Sequence, residues 1–277
     1  MKLLIVLLLI VTNSYALTNS IAEERTFFEN VIFIRSDAPD ANGDTAPGFC
    51  NATLLSSNIA ITAAHCVHLA YVSKNHNIEI QKGFYKYKVQ PDGTKRKIGY
   101  VPNFQKIINV EIEFSSNLKD KFDRQAYKAK IGPAEDVAII WWKDHFDELQ
   151  NKEYAEIISP NEEKLIKSNI KNYPLMPVTI NPFSEMSLDT KRSSQLNNYK
   201  WTMSNYIESR SSSRVEEGDS GSPLFINYNN SYKIIAVVKG KATTVFDNWD
   251  AYSPVTNIAC EIDKKLPSEF RIKNCLK

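Results

Sequence analysis

Glycine, cysteine and histidine are scarce in this chain, at 9, 4 and 4 of 277 residues. So few glycines exclude a collagen-like repeat, and four cysteines exclude a disulfide-dense miniprotein. Neither sign of charge dominates: 34 Lys and Arg stand against 32 Asp and Glu, a formal charge of +2. A nucleic-acid binder concentrates basic charge on one face, so no nucleic-acid partner is expected. Internal repeats and sustained heptads are missing, which removes solenoids and coiled coils. There is no Cys-x-x-Cys, and only His65 among the histidines adjoins a cysteine, so a zinc site is not expected. Long apolar runs are limited to Leu3–Val11, too short for the roughly 20 residues that a membrane span takes. The 43% hydrophobic fraction in turn excludes wholesale disorder.

The short run has a context. Lys2 precedes it, and Ser14 and Ala16 follow as small residues at the −3 and −1 positions, the pattern of a secretory signal over residues 1–16. Residues 17–20 then read as a short propeptide. The expected location is secreted or periplasmic, without membrane association once the signal is removed, and there disulfides persist. Cys50, Cys66, Cys260 and Cys275 allow three pairings. The two short-range pairs are the economical choice, since each closes a loop of about 15 residues worth about 3 kcal/mol.

Short runs rich in Val, Ile, Phe and Tyr recur between polar breaks: 31–34, 59–62, 78–80, 84–89, 107–114, 137–142, 223–226 and 233–238. Strands at such spacing predict an all-β sandwich or barrel. Helices are expected only at Glu162–Ile170 and Ile258–Leu266. The lysine-rich stretch 74–130, densest at Lys95-Arg96-Lys97, reads as a solvated face.

Three segments carry chemistry. Ile61-Thr-Ala-Ala-His-Cys66 places His65 just after an apolar strand. Glu135-Asp136-Val-Ala-Ile-Ile140 places an acid at the start of another. Gly218-Asp-Ser-Gly-Ser-Pro223 places Ser220 between glycines before a third. A serine hydroxyl is a poor nucleophile at neutral pH; it needs a base, and the base needs an acid to hold its tautomer. Histidine is the natural base. The N–H groups of Gly218 and Ser220 are candidate donors to a developing oxyanion.

Together these segments resemble the chymotrypsin-like (trypsin-fold) serine proteases, whose chain order is also His, Asp, Ser; lipase-type hydrolases run Ser, acid, His. Phe49-Cys50-Asn-Ala-Thr-Leu-Leu-Ser56 resembles the strand and turn before the histidine. Ile234–Gly240 resembles the strand that pairs with the substrate backbone, and Ala251–Asn257 the last strand before the C-terminal helix. The resemblance implies two packed six-stranded antiparallel β-barrels with a short C-terminal helix over residues 21–266. A tail, 267–277, is tied by Cys275, and Cys50 is bridged to Cys66. It implies an endopeptidase acting on peptide or protein substrates, monomeric, needing neither metal nor organic cofactor. His65, Asp136 and Ser220 are catalytic, and Gly218 and Ser220 form the oxyanion hole. Asp219 partners a new amino terminus, and Arg214, Val215 and Gly240 lie at the specificity pocket. The rival expectation is a catalytically silent binding protein on the same fold.

Two departures accompany the resemblance. Ile21-Ala22 is the best-placed activation terminus, yet no Arg or Lys stands at 20, and Glu23 and Glu24 replace the usual glycines. Arg214 stands where trypsin-like members carry an acid, so a specificity other than Lys or Arg is expected. With Lys239 and Lys241 near the expected pocket rim, Arg214 is expected to accept an acidic residue before the scissile bond, unless Glu216 and Glu217 neutralise it or these charges point to solvent.

Overall fold

The computed structural model describes residues 20–22, 29–45, 47–91, 95–151, 153–181, 189–193, 199–210, 215–243 and 248–275. The expected signal therefore lies outside the described residues, as does Arg214.

After β1 (Ser20–Ala22), the first half of the chain gives β2 (Val31–Ser36), β3 (Gly48–Ser56), β4 (Ile59–Thr62), α1 (Ala64–Ser73), β5 (Asn77–Val89), β6 (Lys95–Asn109), β7 (Glu111–Phe114), α2 (Ser116–Gln125) and β8 (Ala138–Trp141). The second half gives β9 (Glu156–Ile157), α3 (Pro160–Ser168), β10 (Leu175–Asn181), β11 (Asp189–Ser193), β12 (Tyr199–Trp201), β13 (Ile207–Ser209), β14 (Pro223–Tyr228), β15 (Ser231–Thr243), β16 (Asn248–Pro254) and α4 (Thr256–Asp263). The protein is mostly β with a C-terminal helix, in two sheets. One has seven strands in the order β6-β5-β2-β3-β4-β8-β7; the other has nine, in the order β1-β11-β10-β14-β15-β16-β13-β12 with β9 beside β15. Among the described residues every strand pairing is antiparallel except that of β9 with β15.

The unbroken apolar runs follow from burial on both faces. Along residues 137–142, Val137, Ile139 and Trp141 point into a core shared by both sheets, while Ala138, Ile140 and Trp142 point into the core of the first. Successive strand side chains face opposite ways, so a strand packed on both faces has no polar alternate. The shared core collects Phe33 and Ile61 from the first sheet, Val178, Phe225 and Val237 from the second, and Ala259 and Ile262 from α4. The second sheet has its own core around Leu224, Ile235 and Tyr252, against Ile166 of α3.

Both short-range cysteine pairs are formed, Cys50–Cys66 and Cys260–Cys275. The latter ties the tail to α4, and the tail lays Phe270 on Trp141, ring centroids 4.6 Å apart. No helix among the described residues is long and apolar enough to cross a membrane.

Two helices are unexpected. α1 follows β4 with a single residue between them, and α2 fills part of the lysine-rich stretch; Val67 and Ala70 of α1 pack with Leu118 and Phe122 of α2 on the first sheet's core. His68 is buried in α1. Its Nε2 lies 2.9 Å from the Ala126 carbonyl, its ring stacks on Phe122, and burial pushes its pKa down.

Candidate active site

Strand register decides which residues meet. β4 and β8 pair antiparallel with Thr62 opposite Ala138, so His65, three residues past Thr62, and Asp136, two before Ala138, emerge at the same end of the first sheet. There His65 is the second residue of α1, whose start has no capping side chain of its own. Asp136 supplies the cap from a distance. Its Oδ1 accepts the His65 backbone N–H at 2.8 Å and its Oδ2 faces His65 Nδ1 at 2.7 Å. One carboxylate thus satisfies a free helix N–H and fixes the imidazole, which orients Nε2 as the basic nitrogen.

Asp136 is wholly buried. Burial alone would raise its pKa, but the charge and hydrogen bonds of His65, joined by the Lys239 ammonium, outweigh it and hold the carboxyl below its ordinary value. Lys239 arrives from the second sheet. Its Nζ lies 3.0 Å from Asp136 Oδ2 and 3.5 Å from His65 Nδ1. It reaches them from a bulge: Val238 pairs with Tyr252 and Gly240 with Ala251, leaving Lys239 as the extra residue of β15, with Gly240 at φ 134°. Chain position alone puts Lys239 on a pocket rim, and nothing local to it signals this contact.

Ser220 precedes β14, which pairs with β15 through Pro223 and Val237. The loop that carries it is held on two sides. Toward β15, Gly221 N–H donates to the Val238 carbonyl at 2.9 Å and Val238 N–H to the Ser222 carbonyl at 2.8 Å. Toward β3, Asn51 N–H donates to the Ser220 carbonyl at 2.7 Å and Asn51 Nδ2 to the Gly218 carbonyl at 2.8 Å. Gly218 and Gly221 both have positive φ, 92° and 79°. At Gly221 the reason is also contact, since a Cβ would stand 2.1 Å from the Asn51 carbonyl oxygen and 2.3 Å from Thr62 Oγ1. The N–H groups of Gly218 and Ser220 make no hydrogen bond within the described residues.

Asp219 is buried with both oxygens occupied: Oδ1 accepts from Thr179 Oγ1 at 2.7 Å and Oδ2 from Glu216 N–H at 2.8 Å. Burial pushes its pKa up to about 7, against those hydrogen bonds and with help from the nearby charges of Glu216 and Asp250. Ile21, the expected activation terminus, lies in β1 opposite Arg192 of β11. Val215 is buried, with its N–H 3.3 Å from Asp250 Oδ2. Lys241, expected at a basic pocket, is 2.5 Å from Glu216 Oε2.

His65, Gly218 and Ser220 share the wall of one cavity of about 470 Å³, with Phe49, Cys50, Cys66, Leu69 and Glu217 among its other lining residues. The Asp136–His65 half of the expected triad is joined by hydrogen bonds. The His65–Ser220 half is not: His65 Nε2 has Cys66 Sγ at 3.8 Å, and Ser220 Oγ has no hydrogen-bond partner among the described residues. Cys50, His65 and Cys66 are close enough together to suggest a metal site, but their two sulfurs are bonded to each other and offer no thiolate. A scan against protein-family models and a search of curated proteins each found no match for this chain.

Proposed function

We propose that the chain is a secreted serine endopeptidase of trypsin-like, two-barrel fold. The observation that carries this reading is the convergence, on one cavity, of a carboxylate-held imidazole and a serine whose loop has two backbone N–H groups without a hydrogen bond among the described residues. Ser220 Oγ attacks the peptide carbonyl carbon while His65 Nε2 takes its proton. Asp136 steadies the imidazolium, and the Gly218 and Ser220 N–H groups hold the oxyanion. The tetrahedral adduct collapses as His65 returns the proton to the leaving amine. A water molecule, deprotonated by His65, then attacks the acyl-serine ester, and the acid product departs as Ser220 recovers its proton. Catalytic hydrogen bonds are commonly long before substrate binds, so the open His65–Ser220 gap is closed in the complex. The substrate backbone pairs along β15. Lys239 and Lys241 are both paired with the chain's own acids, so an acidic preference before the scissile bond is not part of this reading.

Ser220→Ala tests it: casein hydrolysis is expected to fall by about 10⁶ in kcat, as when a comparable triad loses its serine, and fluorophosphonate labelling to vanish. Wild-type turnover by the pure variant would overturn the assignment. The unjoined His65–Ser220 pair favours one second reading, a silent binding protein on the same fold. Wild-type protein that never reacts with the probe, with or without amino-terminal processing, would establish that alternative.

A further inference from the structure

Asn51 uses every hydrogen-bonding group it has, and two of its five hydrogen bonds hold the Ser220 loop directly. Its backbone N–H holds the Ser220 carbonyl at 2.7 Å and its carbonyl accepts Thr62 Oγ1 at 2.6 Å. Its Nδ2 donates to the Gly218 carbonyl at 2.8 Å and to Thr179 Oγ1 at 3.1 Å, while its Oδ1 accepts Ile180 N–H at 2.9 Å. Thr179 passes the chain on, donating to Asp219 Oδ1 at 2.7 Å. Asn51 and Thr179 are wholly buried and lie in ordinary strands of different sheets, β3 and β10. A buried amide with all its groups satisfied is specific: isosteric Asp or Leu would leave partners unpaired in a dry site.

These bonds fix the features an acyl transfer needs. Gly218, on the candidate oxyanion donor, is held through its carbonyl; Ser220 is held through its own; and Asp219, between them, has both oxygens filled. Both oxygens of Asp219 thus accept from a side chain and a backbone N–H of the chain's interior, neither of them an amino terminus. Resting on the reading of Ser220 as nucleophile, we propose that Thr179 and Asn51 are positioning residues that hold the Ser220 loop in its reactive shape, so that the site forms without a new amino terminus.

The test is fluorophosphonate labelling of the full secreted chain, read by intact mass and by rate. Labelled molecules are expected to retain residues upstream of Ile21. Label found only on chains that begin at Ile21 would overturn the proposal while leaving the serine-hydrolase reading intact; no label on any form would sink both. Thr179→Val keeps volume and removes the hydroxyl, and it is expected to slow labelling by about tenfold or more, the scale of one lost buried hydrogen bond. Thr179→Ser restores the hydroxyl and is expected to recover the rate to within about threefold. Equal rates for the valine variant and the wild type would also overturn the proposal. Should the valine variant fail to fold, the intact mass of the labelled wild-type chain decides alone.

Discussion

Asp136 shows how much one buried carboxylate can be asked to do. It caps α1, fixes His65, and faces an ammonium from the other sheet on the same oxygen that faces Nδ1. A buried carboxylate is tolerable only with such company, because desolvation disfavours its charge. Lys239→Met keeps length and removes the charge, and is expected to lower stability by about 1–3 kcal/mol at neutral pH, since the remaining partner stays buried. The pH dependence has a definite sign. The folded pKa of Asp136 lies below its unfolded value of 3.8, so its contribution is present above that value and is lost as pH falls through the folded one. Urea midpoints of variant and wild type should therefore differ most near pH 7, begin to converge below about pH 4 and meet once pH falls beneath the folded pKa of Asp136. A gap of constant size across that range would mean that Lys239 acts through packing of its stem instead.

The elements differ in how openly their residues announce them. β4, β8 and β14 are written as apolar runs, because strands packed on both faces carry no polar alternate. α3 is written as well: Ser159 and Glu162 form a reciprocal cap and Pro160 opens the first turn. α1 is not, since its cap is Asp136, 71 residues further on, and its sequence is apolar on every side. α2 shows only Leu118 and Phe122 at a spacing of four, too few to read as a stripe. The same divide runs through the site. His65, Asp136 and Ser220 stand in recognisable segments, whereas Asn51, Thr179 and Lys239 sit in strands whose neighbours exist only after folding. Gly221 is intermediate, legible as a loop glycine but not as a point of contact between sheets. Gly221→Ala puts a Cβ against the Asn51 carbonyl at a φ of 79° and is expected to cost about 3 kcal/mol or more, with loss of labelling. Gly43→Ala is the control, with φ 85° and nothing within 4 Å of the new Cβ, so its cost should be only the backbone share, about 1 kcal/mol. Similar urea midpoints for the two variants would show that the contact with β3 does not constrain the loop.

At the scale of the whole molecule, the cavity beside Ser220 belongs largely to the first sheet. Ser36 and Ala38 at the end of β2, Phe49 and Cys50 of β3, and Cys66 and Leu69 of α1 line it, while β15 contributes nothing to its wall. If the substrate backbone pairs along β15, its acyl half lies on the second sheet and its leaving half crosses Ser220 into this cavity. The cavity's lining includes the Cys50–Cys66 disulfide with Phe49 and Leu69, an apolar surface, together with the exposed Glu217. The residue after the scissile bond is therefore expected to be apolar, and an acidic one is disfavoured twice, by desolvation and by like charge. Burying one such side chain is worth about 1–3 kcal/mol, so kcat/KM should favour Leu over Asp at that position by about tenfold to a hundredfold. Peptides that differ only in the residue after the cleaved bond measure this directly, and Glu217→Gln should narrow the gap without reversing it. Equal turnover of the Leu and Asp peptides would place the leaving half elsewhere, and with it the direction in which substrate crosses the seam between the two sheets.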